Sequence, residues 1–365
     1  MSRLDELLQE LCPDGVEYGK IGDLVDYEQP SKYIVSSTNY NDDYDVPVLT
    51  AGQSFILGYT DETDGICEAS KDNPVIIFDD FTGAFKWVDF PFKVKSSAMK
   101  ILRPKLDVAV FRYVFHLMGW LNYTSSEHKR LWIGIYSEFE VPVPPLEVQR
   151  EIVRILDKFT QLRAELSAEL SARRIQYEHY RNKLFMFGED VPIVKFTDVI
   201  NSISSGKNKL KSTDGTFPVY GSTGEIGRTD NAVYSGKRIL VARVGANAGF
   251  VYVVDGEYDV SDNTLMIDVK DEMNFQYVYQ MLVNMNLNKL AKGGGQPLVT
   301  AGDLRKIDVY NPSYGVQCRV ADILEKFAMV CNDISSGLPA EIEARTKQYE
   351  FYRDKLLSFK RKEAS

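Results

Sequence analysis

The sequence predicts an α+β fold in which two β-rich globules are separated by a pair of long antiparallel helices that form a coiled coil. Three observations indicate it: a helix-forming stretch occurs twice, strand-like runs precede each copy, and a similar short lead-in opens each half. Self-similarity over a period this long indicates a duplicated domain with an internal pseudo-twofold repeat, and not a solenoid of short repeats. The 365 residues suffice for two domains of ordinary size.

The repeated helix is the strongest pattern in the chain. Its copies open near Val148 and Val316 and close near Leu184 and Leu356. In each copy apolar residues recur at alternating steps of three and four, which is typical of a coiled-coil seam. The matching seams predict that the two helices pair over roughly 60 Å, at ~1.5 Å per residue. The alternative is two amphipathic helices that each pack on their own domain. In the second copy, Ser335-Ser336-Gly337-Leu338-Pro339 predicts a helix end and a restart.

The globules consist of strand-like runs separated by glycine, asparagine and aspartate turns. A short helix is expected near 108–121 in the first globule and near 274–290 in the second. These patterns predict four segments: a first globule with a short N-terminal helix (1–143), a first spacer helix (144–187), a second globule (188–312) and a second spacer helix (313–365).

Composition and charge restrict the class of protein. The longest apolar runs fall far short of the ~20 residues that a membrane helix needs, and the first residues lack the apolar stretch of a signal peptide. Four widely spaced cysteines indicate reduced thiols in a cytoplasm, and three histidines make a structural metal site unexpected. The net charge of −9 argues against nucleic-acid binding by the molecule as a whole, but local basic clusters occur, as at 86–105.

Short motifs recur in a fixed order along the chain. A Pro144-Pro145-Leu146-x-x-Gln149-x-x-Ile152 run starts the first long helix, and Tyr-Glu-x-Tyr-Arg-x-Lys-Leu ends both helices. The second globule adds Pro218-Val219-Tyr220-Gly221-Ser222-Thr223-Gly224, Val241-Ala242-Arg243-Val244-Gly245-Ala246-Asn247-Ala248-Gly249, Ser261-Asp262-Asn263 and Gly293-Gly294-Gly295-Gln296-Pro297. Over essentially the whole chain, this order of motifs resembles the specificity subunit of a Type I restriction–modification system.

The resemblance implies a DNA-binding subunit without catalytic activity or a cofactor of its own. Such subunits carry two target-recognition domains, and each reads one half of a split sequence in double-stranded DNA. They recruit two methyltransferase subunits, which methylate adenine, and restriction subunits, which are motor nucleases. S-adenosylmethionine and ATP are then implied only for those partners, and no membrane is involved.

Two departures from the motif pattern are visible. The run Phe78-Asp79-Asp80-Phe81-Thr82-Gly83 stands in the first globule where the second has its Arg-x-Gly, and Asn311-Pro312-Ser313-Tyr314 replaces Pro-Pro-Leu before the second helix. The latter run approaches the Asn-Pro-Pro-Tyr motif of adenine methyltransferases, which grips a flipped base. However, its second proline is missing and no strand leads into a Gly-x-Gly cofactor loop. We therefore interpret it as a strand-to-helix turn.

Candidate DNA contacts follow from the chemistry of base and phosphate recognition. Arginine and lysine suit guanine, asparagine and glutamine suit adenine, and phosphates accept from lysine, serine and backbone amides. In the first globule the candidates are Lys86, Lys95, Ser96, Ser97, Lys129, Arg130 and Trp132, and in the second they are Lys207, Lys209, Lys211, Arg243, Asn247, Lys292 and Gln296. The alternative for each is an ordinary surface or framework role, and for Arg243 it is a pair with an acid inside the globule.

The spacer gives this interpretation a geometric test. Successive major-groove faces recur about every 34 Å along DNA, so a helical spacer of roughly 60 Å would place two globules one or more turns apart. Deleting one helical turn at 334–338 is therefore expected to change the gap between the half-sites and leave their sequences unchanged. The competing hypothesis is a protein-binding coiled-coil scaffold without DNA recognition.

Overall fold

The chain forms two compact units, each with one β-rich globule and parts of the long helices. The first unit comprises residues 1–165 with 343–365, and the second comprises residues 166–342. The computed structural model describes residues 2–50, 55–105, 109–123, 129–209, 212–293, 296–332 and 337–363.

The first unit begins with a short capped helix and continues into three small sheets. Ser2 caps the first helix, accepting from the backbone N–H of Asp5 while the Asp5 carboxylate accepts from the N–H of Ser2. Its elements are α1 (Arg3–Leu11), β1 (Glu17–Lys20), α2 (Ile21–Leu24), β2 (Val25–Glu28), β3 (Val46–Leu49), β4 (Ile56–Thr60), β5 (Val75–Asp79), β6 (Phe85–Val88), β7 (Lys93–Val94), β8 (Met99–Pro104), α3 (Phe111–Leu121), β9 (Glu140–Val143) and the beginning of α4 (Leu146–Leu184).

The sheets of the first unit separate two cores. The strand orders are β1-β9, β2-β8-β5-β6 and β4-β3-β7, and the pair of β3 with β7 is parallel. Strand β5 is buried along its whole length because its alternating side chains enter both cores. Ile76 and Phe78 pack with α3 and the long helices, whereas Val75 and Ile77 pack towards β3 and β7.

The second unit repeats this sequence of elements. After the end of α4 it contains β10 (Ile193–Lys195), β11 (Ile200–Ser205), β12 (Phe217–Gly221), β13 (Gly224–Thr229), β14 (Tyr234–Ser235), β15 (Arg238–Ala242), β16 (Val251–Val254), β17 (Glu257–Val260), β18 (Thr264–Val269), α5 (Phe275–Met285), α6 (Ala301–Arg305), β19 (Asp308–Tyr310), α7 (Tyr314–Asn332) and the beginning of α8 (Leu338–Leu357). The last part of α8 belongs to the first unit.

The two globules share one topology. The sheet β11-β18-β15-β16 matches β2-β8-β5-β6, and β13-β12-β17 matches β4-β3-β7 with the same parallel pair and an added strand β14. Both β-hairpins in the smaller sheets carry an irregularity at the same place, after Val48 and after Val219. Strand β15 again feeds two cores, with Ile239 on one side and Leu240 on the other. The predicted duplication is confirmed.

Each globule packs against two antiparallel helix segments. In the first unit Ile152 and Leu156 of α4 share a core with Leu357 of α8, and the rings of Phe159 and Tyr352 stack at 5.2 Å. In the second unit the ring of Tyr180 in α4 stacks on Phe327 of α7 at 5.5 Å, and Val320, Leu324 and Leu184 pack in or against the core of the globule. Helix pairing is thereby confirmed within each unit, and knobs-into-holes packing of a coiled coil stays a prediction.

The glutamine near the start of each long helix ties that helix to the short helix of its globule. Gln149 donates to the carbonyl of Pro144 at 2.7 Å and accepts from the backbone N–H of Val110, the residue before α3, at 2.9 Å. Gln317 makes the same two bonds, to Pro312 and from the residue before α5, each at 2.9 Å. Both glutamines are buried. The Gln-x-x-Ile part of the motif is therefore a structural device.

A hydroxyl at the far end of each long helix reaches the same short helices. The hydroxyl of Tyr177 donates to the side chain of Gln280 in α5 at 2.9 Å. At the matching place in the first unit, Tyr349 lies 3.0 Å from Nδ1 of His116 in α3. Nε2 of His116 lies 2.9 Å from the carboxylate of Asp157, which also accepts from Arg112. Each short helix is thus held by two helix segments from different parts of the sequence.

Several predicted boundaries require correction. The helix expected near 108–121 begins at Phe111, and the one expected near 274–290 ends at Met285 because Asn286 takes a left-handed conformation. Helix α4 spans Leu146–Leu184, within the predicted 144–187. The predicted helix stop is confirmed, with α7 ending at Asn332 and α8 restarting one residue before Pro339.

Three further properties concern the chain as a whole. No helix in the described ranges is long and apolar enough to cross a membrane. All four cysteines are free thiols, and two of them, Cys67 and Cys331, are buried. After α8 the chain pairs with the segment that precedes β1, because Val16 and Arg361 form a parallel bridge.

Candidate nucleic-acid interface

Loops from five places in the sequence meet beside the strand ends of the second globule. The backbone N–H of Arg243 donates to the carbonyl of Asn263 at 2.9 Å, and that of Gly245 donates to Pro297 at 3.0 Å. The hydroxyl of Ser222 also donates to Asn263, at 3.0 Å. We name these five loops the second edge: residues 207–209, 222–223, 243–249, 261–263 and, in the fifth loop, the described residues 292–293 and 296–297. Strand topology therefore brings together residues that are up to 90 positions apart.

The second edge contains most of the predicted contacts of its globule. Lys207, Lys209, Asn247 and Gln296 are exposed, and the amide of Asn247 donates to the carbonyl of Ser222 at 3.4 Å. Lys211 lies outside the described residues. The exposed amide and ammonium groups are chemically suited to base edges and phosphates.

Arg243 occupies the central position of the second edge. Its backbone N–H donates to Asn263 and its carbonyl accepts from Val299 at 2.8 Å, so the backbone links two loops. The guanidinium is half-buried, and its Nε has no hydrogen-bond partner among the described residues. The ion pairs seen in the described part of the chain do not include Arg243, so the alternative of an internal acid partner finds no support.

Lys292 is held at the second edge by a carboxylate. Its ammonium lies 2.8 Å from Asp303, although the lysine side chain remains 79% exposed. The hydrogen bonds from Lys292 and then from Thr300 lower the pKa of Asp303 to about 2. Asp303 also caps α6 through a capping box with Thr300. Lys292 also forms an antiparallel bridge with Leu298, so its backbone and its side chain are both held in place.

The first globule has a matching set of loops with different side chains. The N–H of Asp80 donates to Ala98 at 3.0 Å, and its carbonyl accepts from Leu131 at 2.8 Å. These are the backbone bonds of Arg243, so Asp80 stands at the position of Arg243. The sequence had predicted only that the run 78–83 stands where the second globule has its Arg-x-Gly. We name these loops the first edge: residues 80–83, 95–98 and 129–131.

The carboxylate of Asp80 organises the first edge from within. Its Oδ1 accepts from the N–H groups of Leu131 and Trp132, at 3.2 and 2.8 Å. Its Oδ2 lies 3.2 Å from the ammonium of Lys100, and both side chains are almost fully buried. An acid with these bonds cannot contact a phosphate, so its role is to hold the loop that carries Lys129 and Arg130.

The predicted contacts of the first globule fall into three groups. Lys95, Ser96, Ser97, Lys129 and Arg130 are exposed residues of the first edge. The ammonium of Lys95 lies 5.6 Å from the ring centre of Tyr40. Lys86 is also exposed, but it lies in strand β6, outside the first edge.

Trp132 was wrongly placed among the contacts. Its side chain is only 2% exposed, its ring stacks on Tyr136 at 6.1 Å, and its edge meets Phe78 at 5.3 Å. The bond from its N–H to Asp80 fixes the backbone while the ring packs in the core. A tryptophan so placed cannot stack on a base without unpacking the globule.

The basic cluster at 86–105 is not a continuous positive surface. Lys93 is buried and lies 2.7 Å from Glu62, Lys100 pairs with Asp80, and Arg103 lies 3.2 Å from Glu28. Sequence composition alone cannot reveal these partners because they come from distant segments. Residues that the sequence reasoning missed are Ser222 and Asn263, although the motifs that contain them gave the signal.

Comparisons with known proteins agree with this architecture. Residues 13–173 and 188–344 match the family described as Type I restriction modification DNA specificity domain. The EcoR124I/EcoR124II specificity subunit of a type I restriction enzyme from Escherichia coli is 39% identical over 409 residues, which cover 100% of this chain and 98% of that protein.

Solved structures show the same fold. The S subunit of a Type I restriction–modification system from M. genitalium has a TM-score of 0.62 at 14% identity, covering 94% of this chain and 96% of that one. A chain from a study of assembly and conformational transition of the type I system has a TM-score of 0.56 at 14% identity, covering 95% and 98%. With two matching domains and a full-length relative, this chain belongs to the family of Type I restriction–modification DNA specificity domains.

Proposed function

We propose that this chain reads a split sequence in double-stranded DNA, with one half-site for each globule. The observation that supports it most is the pair of edges. They share the same strand order and the same backbone bonds at Asp80 and Arg243, but they present different side chains. A common framework with different exposed groups is what two modules need when they read different bases.

The proposed contacts are the exposed residues of the two edges together with Arg243. Basic and amide side chains supply donors for phosphates and for guanine or adenine edges. In the first edge they are Lys95, Ser96, Ser97, Lys129 and Arg130, and in the second they are Lys207, Lys209, Arg243, Asn247, Lys292 and Gln296. Lys86 and Lys211 stay predictions on the sequence alone.

We further propose that the chain performs no chemistry itself. Its relatives are named specificity subunits of type I restriction enzymes, which supports a division of labour between subunits. Two methyltransferase subunits and the restriction subunits would carry out the catalysis, and they would bind S-adenosylmethionine and ATP. The free thiols are compatible with the reducing cytoplasm in which such an enzyme would work.

Binding measurements test the proposal against a protein-binding scaffold. Fluorescence anisotropy would follow duplexes of random core sequence added to the chain with its methyltransferase partner, at several salt concentrations. DNA recognition predicts a steep loss of affinity with salt together with a preference for one split sequence. A scaffold predicts neither. If affinity in the presence of the partner changes neither with salt nor with DNA sequence, the proposal is rejected.

A single substitution tests the assignment of the second edge. Asn247→Ala removes an amide exposed at this edge. It is expected to lower the discrimination against wrong bases in the second half-site by about 1–3 kcal/mol. The first half-site should be unaffected. The matched control is Asn201→Ala, because Asn201 belongs to the same globule but donates to Val269 within a sheet. Equal behaviour of the two variants would remove Asn247 from the interface.

A further inference from the structure

A polar groove of about 550 Å³ adjoins the second edge. Its walls are the loop from Ala246 to Val251, the residues around the end of α5, and the last turn of α4. Asn247 belongs both to the groove and to the second edge, so the two surfaces are continuous. None of the residues proposed above as DNA contacts, apart from Asn247, lies in it.

The groove is basic in a chain that is acidic overall. Arg181 and Lys289 line it together with five asparagines, and the described lining residues include no aspartate or glutamate. The whole chain, by contrast, carries a net charge of −9. Two cations and several amide donors without a carboxylate are the groups that bind a phosphate.

Two polar atoms in this groove lack partners. Nε of Arg181 and Oδ1 of Asn284 are buried and have no hydrogen bond among the described residues. Buried groups of this kind are normally satisfied by protein, water or a ligand. A phosphate oxygen can accept from the N–H of Arg181, whereas the oxygen of Asn284 needs a donor and does not itself indicate a phosphate. The guanidinium of Arg181 is also fixed in place, because it lies 5.4 Å from the ring centre of Tyr177, whose hydroxyl is bonded to Gln280.

The two walls of the groove are held close together by a glycine. Gly249 has a φ of +91°, and a side chain on it would lie 2.3 Å from the backbone nitrogen of Asn288. Asn286 takes the left-handed conformation that ends α5 and turns the chain towards Lys289. The geometry of the groove is therefore set by backbone contacts and is not left to mobile side chains.

We propose that this groove binds a phosphate of the DNA backbone beside the second half-site. The inference rests on the proposed function, which it extends from the bases to a fixed phosphate position. Arg181 and Lys289 would neutralise the charge, and the asparagine amides would donate to the phosphate oxygens. Such a contact sets the register of the globule on DNA and adds affinity without sequence preference.

Salt dependence of DNA binding tests this site. Lys289→Ala is expected to lower the slope of log K against log salt by about one, equally for a duplex with the target and one without it. Asn288→Asp, which adds a carboxylate to the groove, should weaken both further. Lys306→Ala is the control, since Lys306 is exposed in the same unit but does not line the groove. All variants are measured with the methyltransferase partner present and after their thermal unfolding is shown to be unchanged.

Neutral methylphosphonates, placed one at a time beside the second half-site, locate the phosphate. Wild-type protein should lose affinity at one position, and Lys289→Ala should be insensitive there. If Lys289→Ala matches Lys306→Ala in slope, this inference fails while sequence-specific binding stands. If Lys289→Ala instead weakens capture of the methyltransferase partner, the groove is a protein-binding surface and the inference is overturned. If wild-type protein prefers no sequence, the proposed function fails and the inference with it.

Discussion

At the scale of residues, Asp80 and Arg243 show how one framework supports two readers. Both make the same backbone bonds to neighbouring loops, yet their side chains differ in charge and in hydrogen-bond partners. Asp80 accepts from two N–H groups and pairs with Lys100, whereas the Nε of Arg243 has no partner in the described part of the chain. The position is therefore structural in the first globule, whereas in the second globule we propose it for recognition.

Replacing Asp80 tests its positioning role. Asp80→Ala leaves the buried N–H of Trp132 and the ammonium of Lys100 without an acceptor, while the N–H of Leu131 keeps its bond to the backbone carbonyl of residue 80. The loss of the acceptor for Lys100 is expected to cost about 3–5 kcal/mol of unfolding free energy. Asp80→Asn combined with Lys100→Met keeps one acceptor and removes both buried charges, so it should lose much less. Urea unfolding of the single and double variants measures this difference. Equal losses would show that the buried charge of Lys100 is not the source of the effect.

His116 is expected to make the first unit sensitive to acid. Burial lowers its pKa from the ordinary 6.5, and the hydrogen bond that it donates to Asp157 only partly opposes this. A lowered histidine pKa means that the unfolded chain binds the proton more readily, so stability falls as pH drops below ~6.5. We therefore expect the free energy of unfolding to fall between pH 7 and pH 5.

The second unit suggests the matched variant for this test. Gln280 holds the place of His116 and bonds to Tyr177 at 2.9 Å, so His116→Gln should keep the contact with Tyr349 and abolish the pH dependence. Chemical denaturation at pH 5, 6 and 7 distinguishes the variants. A pH profile of His116→Gln that follows the wild type would assign the acid sensitivity to other groups.

At the scale of elements, the buried glutamines join long and short helices. Gln149→Ala leaves the N–H of Val110 and the carbonyl of Pro144 unpaired, at a cost of about 1–3 kcal/mol. Gln317→Ala does the same at α5. Amide hydrogen exchange should therefore accelerate in α3 for the first variant and in α5 for the second.

Gln161→Ala serves as the control for both variants. Gln161 lies on the exposed side of α4 and bonds only to Glu165 among the contacts observed for it, so its loss should leave exchange in both short helices unchanged. Faster exchange in α3 and α5 alike, after either substitution, would show that the glutamines act on global stability and not on one helix each.

Local patterns in the sequence predicted more of the fold than of the candidate site. Helix periodicity, the restart at Pro339 and the departure of the run 78–83 from Arg-x-Gly are properties of short segments, so all three could be predicted. The exposure of a cation is different, because it depends on partners far along the chain. Lys100 is neutralised by Asp80, and Trp132 turns into the core because Asp80 holds its backbone. The convergence of five loops at the second edge likewise follows from strand order, which no single segment encodes.

At the scale of the whole molecule, the repeat predicts exchangeable readers. The segment from β2 to the end of the 3₁₀ turn Tyr136–Glu138 matches the segment from β11 to Lys306, the C-cap of α6. Residues 25–138 should therefore function in place of 200–306. If the proposed function is correct, the variant with the exchanged segment would direct methylation to a new target. Both halves of that target would be the sequence now read by the first globule. Methylated adenines are mapped in the genome of cells that express this variant with the methyltransferase partner. An unchanged second half-site would contradict the assignment of the readers.

The spacer prediction also belongs to this scale. Helix α4 has 39 residues, and we expect helix length to determine the number of base pairs between half-sites. Deleting residues 334–338, of which 334–336 lie outside the described residues, should change that number and leave both half-sites as they are, as read by the same methylation mapping. A change within a half-site would show that spacer and readers are not independent.

The division of the chain into units has a consequence for its biosynthesis. The second unit is a continuous run, residues 166–342, whereas the first needs 343–365 to complete its core around Leu357. A ribosome delivers the chain from its N-terminus, so the globule that is made first keeps part of its apolar surface uncovered until residues 343–365 have been translated. The globule that is made second reaches its native partners earlier. Order of maturation is thus the reverse of order of translation.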